Sequence, residues 1–492
     1  MSKLATNSFI LISGRGVGFL ISAILPIVLV RLFSVAEFGE YRQIVLIITT
    51  CATILPFGMQ NSLYYFMPKF PDRKAEFITR TFAFICIVGL IFIVLILIFF
   101  QELASFFGNP SFVIYGKLAG VIVVMLAISS LIETVLIIEE KVSLSSKMLV
   151  LTRLLRAVII LFGALQEDII LILYGLFILY FFKAIFSLIY LVRSYEIPFY
   201  INIFSGAVSH LKYGTQLGIS GVFVLLSEVT DKFMVSHYLE VEVFAIYMIG
   251  CYELPLISII FGSIGDVVLP RVVETLKINN KKDAIRLWHS SIEKSMLIGL
   301  PIFTFFFSFA NLIVLTFFTD KYADAVPVFR IGLLAVILES TRYGMITRAY
   351  ARTKFMLKVS LLSYFIMLPL CYLGIIYYGV LGAITAVMFS KIFMVSSELI
   401  MSKYLLSLSW SAVLPFRQIA HLSLMTLLCL ILPAALLFFV TEMEITPWIS
   451  IVAIFILFAA SFVWLSNLFG HWRISHLPIS ESIKGKMAIL FK

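Results

Sequence analysis

Several charged side chains of this sequence stand inside long apolar runs, where hydrocarbon would otherwise surround them. The first is Arg15, in the apolar run from residue 8 to residue 30. A charge at that depth is costly unless it faces a polar cavity or a partner, so such residues are candidates for function. Arginine and lysine side chains in a hydrated interior would bind anions, because both donate charge-assisted hydrogen bonds to phosphate and carboxylate oxygens.

Four further basic residues are candidates for the same chemistry. Lys183 and Lys391 lie deep in later apolar runs, at corresponding places in the two halves of the chain. Arg153 and Arg156 are three residues apart and therefore share one face of a helix. They are expected near its cytoplasmic end, where anchoring at the membrane interface competes with phosphate binding as an explanation.

Each of these candidates has a structural alternative. Arg15 could reach the cytoplasmic surface or pair with a buried carboxylate, and Gly14 and Gly18 beside it also fit a GxxxG packing face. Glu228, Asp231 and Lys232 share a face of one predicted helix. They could form internal ion pairs, or they could bind a coupling cation or proton.

The elements that hold these residues are membrane helices. Hydrophobic residues make up 62% of the 492 residues, aromatic residues 15% and charged residues 13%, whereas soluble proteins contain about 25% charged residues. Mean hydropathy is +1.09, and apolar runs of about 20 residues, long enough to cross a bilayer, recur along the whole chain. The fold class predicted is an all-α polytopic membrane protein.

Hydropathy predicts about fourteen transmembrane helices. The predicted spans are 8–32, 41–64, 78–100, 112–137, 146–164, 168–192, 213–238, 243–269, 289–317, 325–347, 356–377, 380–402, 417–440 and 447–468. Basic residues are concentrated in alternate connections, and the connections between them are short and lean acidic. By the positive-inside rule both termini are cytoplasmic. The basic residues behind the net charge of +10 are therefore explained by membrane orientation and do not indicate a nucleic-acid partner.

Motifs of other protein classes are absent from the sequence. There is no GxxxxGK[ST] phosphate loop, so movement of a substrate would be driven by an ion gradient, the membrane potential or the substrate gradient. HExxH, GxSxG and paired CxxC motifs are also absent, and the five cysteines fall inside predicted spans. We therefore expect no metal site, no cofactor and no catalytic residues.

A long-period repeat relates the two halves of the chain. Two segments follow the first and seventh predicted spans in the same way, Ser34–Tyr41 (SVAEFGEY) and Glu240–Tyr247 (EVEVFAIY). One helix later each is followed by an apolar residue, a proline and a basic residue, at Met67–Lys69 and Leu269–Arg271. The offset of about 200 residues fits the parallel duplication found in transporters, which bind substrate where the halves meet. Chance recurrence of such short patterns in apolar sequence is the alternative.

Several segments resemble one transporter family. The segment 31–41 (RLFSVAEFGEY) after a glycine-rich first helix is similar to the opening of O-antigen-type polysaccharide flippases of the multidrug/oligosaccharidyl-lipid/polysaccharide exporter superfamily. Asp231–Phe233 with Ala245–Tyr247, and the segment 317–325 (FFTDKYADA), resemble its signatures further along the chain. The resemblance implies a MATE-like fold with two six-helix bundles around a central cavity, at 1–200 and 201–410. Two additional helices and a cytoplasmic tail would occupy 411–492.

The resemblance also implies a function and its partners. Such a flippase moves polyprenyl-diphosphate-linked oligosaccharide repeat units to the outer leaflet of the bacterial inner membrane by alternating access. The product would be O-antigen of lipopolysaccharide, capsule or exopolysaccharide. Its substrate partners would be the lipid-linked oligosaccharide and membrane lipids, and a polymerase and glycosyltransferases would be further partners. Two alternatives remain, a multidrug or metabolite exporter of the same fold and a membrane glycosyltransferase or polymerase, although short outer connections argue against an enzyme.

Overall fold

The computed structural model is built from α-helices in the part of the chain that it describes, which comprises residues 3–195, 207–252, 254–442 and 446–468. Side chains of the first helix are described from Gly16 onward. The chain divides into two compact units. Unit 1 comprises Met1–Ile249 and Leu368–Ala383, and unit 2 comprises Gly250–Met367 and Ile384–Lys492.

Unit 1 contains the first nine helices. They are α1 (Lys3–Leu32), α2 (Val35–Ile54), α3 (Met59–Lys69), α4 (Lys74–Phe106), α5 (Phe112–Ile138), α6 (Val142–Leu165), α7 (Ile169–Tyr195), α8 (Ala207–Tyr238) and α9 (Val241–Gly250). Helix α6 packs along α1 and also contacts α7. The α1 to α6 interface therefore brings the first and fifth predicted spans side by side.

Unit 2 is built from the remaining helices around a core centred on Trp288, Ile292 and Met296. They are α10 (Pro255–Lys277), α11 (Lys281–Ser308), α12 (Ala310–Phe318), α13 (Ala325–Gly332), α14 (Leu334–Ser340), α15 (Met345–Ala349), α16 (Thr353–Leu406), α17 (Phe416–Leu428), α18 (Ile431–Glu442) and α19 (Pro447–Leu468). Helix α16 is interrupted at Gly379, and its residues 368–383 belong to unit 1.

Nine helical segments of the described chain are long and apolar enough to cross a membrane. The chain is therefore a multi-pass membrane protein. Helices α8 and α10 are also long, but charged residues keep them outside that apolar set. Each of the fourteen predicted spans coincides with helical structure, and the number of crossings stays a prediction.

Breaks occur in both copies of the sequence repeat. The predicted span 41–64 is divided between α2 and α3, and the predicted span 243–269 is divided between α9 and α10. In the first copy, Ser34 and Glu37 form a capping box at the start of α2, with Ser34 N donating to Glu37 Oε2 at 2.8 Å. The repeated aromatic residues are core residues, because Phe38, Tyr41, Phe244 and Tyr247 are all buried.

The predicted boundary between the two bundles, near residue 200, lies in residues 196–206, outside the described residues. The domain limits 1–200, 201–410 and 411–492 stay a prediction. Within the described chain, α8 contacts α2 and α3 and belongs to unit 1.

A buried histidine joins α8 to α3. His210 Nε2 lies 2.6 Å from Ser62 Oγ, and the rings of Phe66 and Phe77 pack against its imidazole at 4.8 and 5.1 Å. His210 is outside the candidate spans. Burial among these rings, with the positive charge of Arg80 close by, lowers the pKa of His210 to about 4.

We predict that this histidine makes stability depend on pH. An unfolded histidine binds a proton below pH of about 6.5, whereas folded His210 stays neutral down to about pH 4, so stability is full above the first value and falls toward the second. The loss is up to about 3 kcal/mol, measured as the thermal midpoint of detergent-solubilised protein against pH. His210→Gln should remove this part of the pH dependence.

The exposed His237 provides the control for this measurement. His237→Gln should retain the full dependence on pH. An unchanged pH profile in His210→Gln would show that other groups cause it.

Candidate functional site: an arginine pocket in unit 1

A pocket lined by three arginines lies between α1, α2 and α6. Its polar lining consists of Ser22, Tyr41, Arg42, Arg153 and Arg156, and its volume is about 140 Å³. The remaining lining is apolar: Ile21, Leu25, Pro26, Leu29, Val45 and Ala157. We call this set the arginine pocket. Among these described lining residues there is no carboxylate, so the fixed charge of the pocket is positive.

Arg153 is fixed by the close approach of α6 to α1. Its Nη1 donates to the carbonyl oxygen of Gly18 at 3.0 Å and to Ser22 Oγ at 2.7 Å. A Cβ atom at position 18 would lie 2.6 Å from Arg153 Cδ, so glycine is required for the side chain to cross α1 at this point. Gly18 therefore lies at a helix-packing contact, as a GxxxG face would predict, and it also makes room for the Arg153 side chain.

Arg156 lies past the middle of α6, which begins at Val142. The hydroxyl groups of Tyr41 and Tyr180 interact with its guanidinium group, and its Nε is buried without a hydrogen-bond partner among the described residues. The expected position of Arg153 and Arg156 near a helix end is therefore wrong. Helix α6 starts earlier than the predicted span, and both arginines belong to the helix interior.

The arrangement favours binding of a small anion. Guanidinium groups form bidentate hydrogen bonds with phosphate oxygens, and such bonds strengthen where water is partly excluded. The volume of the pocket, about 140 Å³, is smaller than the roughly 300–1,000 Å³ of pockets that hold drug-sized ligands. The arginine pocket can therefore accept a phosphate-sized group but not a large glycan.

Arg15 lies on α1, but its side chain is outside the described residues. Its predicted role in the cavity stays a prediction.

The two deep lysines each form an ion pair within their own unit. Lys183 on α7 lies 2.6 Å from Glu133 on α5, and Lys391 on α16 lies 2.6 Å from Glu339 on α14. The Lys183 side chain is 9% exposed and the Lys391 side chain is 23% exposed. The sequence places the two lysines at corresponding positions of the repeat. Their partners Glu133 and Glu339 are also separated by about 200 residues, the offset of the repeat. Their charge is compensated internally, unlike that of the arginine pocket.

The acidic candidates on α8 are partly brought together. Tyr247 Oη donates to Asp231 Oδ2 at 2.7 Å, and Lys232 Nζ lies 3.6 Å from Asp231 Oδ1. Lys232 Nζ also donates to the backbone carbonyl of Glu228 at 2.6 Å, while the Glu228 side chain is exposed. Asp231 is buried, so its charge depends on these contacts. The structure gives this trio an internal ion pair, and a role in coupling stays a prediction.

The family is shown by the sequence itself. The profile of a family described as polysaccharide biosynthesis proteins matches residues 28–327, which is more than half of the chain. The chain belongs to this family. No curated protein sequence matches the chain significantly.

Solved structures with the same fold include several transporters. The lipid II flippase MurJ in an inward closed conformation is 15% identical, with a TM-score of 0.70 over 94% of this chain and 98% of that chain. A multidrug resistance MATE family transporter of the MOP superfamily in an inward-facing conformation is 14% identical, with a TM-score of 0.60 over 80% and 93%. A MOP superfamily transporter from Pyrococcus furiosus, described by a binding pocket of reverse polarity, is 13% identical, with a TM-score of 0.57 over 82% and 95%.

These similarities establish the fold of this polysaccharide biosynthesis protein as MATE-like. The predicted fold class and the resemblance to the exporter superfamily are confirmed. At such low sequence identity the solved structures show the fold alone. The assignment of the arginine pocket is therefore based on the geometry of this chain.

Sequence reasoning did not place Tyr41 or Arg42 in a binding pocket. It also did not single out Tyr180, whose hydroxyl group interacts with Arg156. The signal for Tyr41 was present, because it closes the repeated segment SVAEFGEY. Its equivalent, Tyr247, binds Asp231, so each copy uses the repeated tyrosine to contact a buried charge.

We predict that the Lys183 to Glu133 pair is energetically coupled. Glu133→Leu should lower the stability of the protein in detergent by up to about 3 kcal/mol, because it leaves a buried ammonium group without its carboxylate. Lys183→Met should cost less, since Glu133 is 25% exposed and can be hydrated. The double variant should lie close to the wild type, because both charges are gone.

Thermal midpoints of the four proteins measure this coupling. The pair Lys391 and Glu339, which is more exposed, provides the comparison and should show a smaller coupling energy. Single effects that simply add in the double variant would show that the two side chains do not stabilise each other.

Proposed function

We propose that this protein is a flippase for polyprenyl-diphosphate-linked oligosaccharide repeat units. It moves them from the cytoplasmic to the outer leaflet of the bacterial inner membrane, for synthesis of O-antigen, capsule or exopolysaccharide. The observation that carries the proposal is the arginine pocket, in a chain of the polysaccharide biosynthesis family. Three guanidinium groups among apolar residues suit the diphosphate, which is the part of this substrate that hydrocarbon excludes most strongly.

The arginine pocket assigns roles to the basic candidates. Arg153 and Arg156 bind the diphosphate together with Arg42. Arg15 is a further candidate from its place in the first apolar run of the sequence. Lys183 and Lys391 are candidates for contacts with the substrate within their own units, where each is now paired with a glutamate, Glu133 or Glu339. The polyprenyl tail stays in lipid throughout.

Transport works by alternating access, with the bundles at 1–200 and 201–410 opening in turn and the helices of 411–492 outside them. Both termini are cytoplasmic, and the polymerase and glycosyltransferases of the same pathway are its partners. Asp231, with Lys232 and Glu228 nearby, is the candidate for coupling transport to a proton or cation, because it is a buried carboxylate inside a long helix.

An exporter of multidrug type is the alternative function for this fold. Drug substrates of such exporters are commonly cationic, and three arginines without a lining carboxylate would repel them. Deletion of the gene separates the two functions. A flippase mutant accumulates lipid-linked repeat units in the cytoplasmic leaflet and loses surface polymer, whereas an exporter mutant changes drug sensitivity and keeps its polymer.

We predict that Arg156→Met lowers polymer export at least about tenfold, the effect of losing one charge-assisted hydrogen bond to the diphosphate. Arg156→Lys should keep partial activity, because it retains the charge but loses the bidentate geometry. Arg193→Met, at an exposed position on α7, is the matched control and should export normally.

A second pair of variants tests the position of Arg153 without removing its charge. Gly18→Ala should displace Arg153 and reduce export, whereas Gly16→Ala, whose added Cβ meets nothing within 4 Å, should not. Protein abundance is measured for every variant. Normal export by Arg156→Met and Gly18→Ala at normal abundance would remove the arginine pocket from the transport route.

A further inference from the structure

Unit 2 contains a second group of charged residues, at a break between two short helices. Helix α14 ends at Ser340 and α15 begins at Met345. Between them Arg342 has φ of 51° and Gly344 has φ of 74°. A left-handed conformation at a residue other than glycine is strained, and such strain is concentrated at functional sites. Irregular backbone at membrane depth is tolerated where it is buried in protein or lines a water-filled cavity.

The guanidinium group of Arg342 rests on α10. A Cβ atom added at Gly265 would lie 2.1 Å from Arg342 Nη2, so the arginine occupies the space that a side chain at position 265 would take. Trp288 Nε1 donates to the backbone carbonyl of Arg342 at 3.4 Å and supports the strained residue from α11. Arg342 Nε is buried without a hydrogen-bond partner among the described residues, so this side chain retains unused donor capacity.

Opposite charges alternate around this arginine. Arg348, Glu339 and Asp266 all act on Arg342 electrostatically, and Glu339 also binds Lys391 at 2.6 Å. Asp266 is exposed near the middle of α10, and Glu339 keeps 35% of its side chain exposed. Carboxylates exposed in the middle of membrane helices are expected to face water and not lipid. We call Asp266, Glu339, Arg342 and Lys391 the mixed-charge cluster.

Hydroxyl groups complement such a cluster better than ions do. A hydroxyl both donates and accepts hydrogen bonds, so it can bridge a carboxylate and a guanidinium group that lie side by side. The two carboxylates oppose the binding of a phosphate, and the basic residues Arg342, Arg348 and Lys391 oppose the binding of a simple cation. Tyr343, which follows Arg342, adds an aromatic ring of the kind on which the apolar face of a sugar can pack.

We propose that the mixed-charge cluster of unit 2 is a binding site for the uncharged sugar residues of the transported glycan. This assignment rests on the proposed function. It gives the two units different chemistry: the arginine pocket of unit 1 binds an anion, and the mixed-charge cluster binds hydroxyl groups. The residues that bind glycan are then separate from those that bind the diphosphate.

Transport in proteoliposomes tests this assignment with two lipids. One is the complete repeat unit on polyprenyl diphosphate, and the other is the same lipid carrying its first sugar alone. Gly265→Ala displaces Arg342, and Asp266→Ala removes one carboxylate from an exposed position. Their matched controls are on the same helix: Gly262→Ala, whose added Cβ meets nothing within 4 Å, and Glu274→Ala, which removes an exposed carboxylate elsewhere.

Both test variants should transport the complete repeat unit about tenfold more slowly, as expected for the loss of one charge-assisted hydrogen bond, and should transport the one-sugar lipid at the wild-type rate. Both controls should transport both lipids normally. Thermal midpoints in detergent show whether each variant is folded.

Two results would overturn the glycan site. Equal loss of transport for both lipids would indicate a role in folding or in the transport movement, and normal transport of both would show that the cluster does not touch the glycan. Failure of the proposed function looks different, because then the wild type moves neither lipid. Loss of both lipids in Arg156→Met, with selective loss in Gly265→Ala, would support the two sites together.

Discussion

The cost of placing a charge inside a membrane governs this structure. Among the described residues, the basic side chains of the candidate sites are stabilised in two distinct ways. Lys183 and Lys391 are each neutralised by a glutamate at 2.6 Å, whereas Arg153 and Arg156 are held by neutral groups: a carbonyl oxygen, a serine and two tyrosines. Neutral partners satisfy hydrogen bonds but leave the positive charge in place. The arginine pocket therefore keeps an electrostatic potential that the lysine pairs have largely cancelled.

The repeat shows how one sequence element serves opposite charges. The segments 34–41 and 240–247 both begin a helix and both bury their phenylalanine, which fixes the position of the tyrosine that follows one turn later. Its hydroxyl can donate or accept. In the first copy it meets Arg156, and in the second it donates to Asp231. The tyrosine is thus a neutral polar group at the same place in each of the two similar segments, both of which lie in unit 1, and its partner residue determines its role.

Much of the fold could be predicted from the sequence, because hydrophobic runs mark the membrane-spanning helices and basic connections indicate their orientation. The breaks between α2 and α3 and between α9 and α10 were not predicted, since apolar composition continues through them. The candidate site was harder to predict than the fold. The spacing of Arg153 and Arg156 placed them on one face of a helix. Their depth in that helix depended on where α6 begins, and hydropathy defines helix ends poorly. The partners Glu133 and Glu339 are distant in sequence from their lysines, so no local pattern could identify them.

The contact of Arg153 with Gly18 and Ser22 links ligand recognition to helix packing. The same guanidinium group that faces the arginine pocket also ties α6 to the backbone of α1. An anion that draws this group toward itself must weaken its bonds to α1, and sliding of α1 along α6 must in turn alter the affinity for the anion. Because such linkage is reciprocal, binding of an anion in the arginine pocket changes the register of α1 against α6, and a change of register changes the affinity for the anion by the same factor.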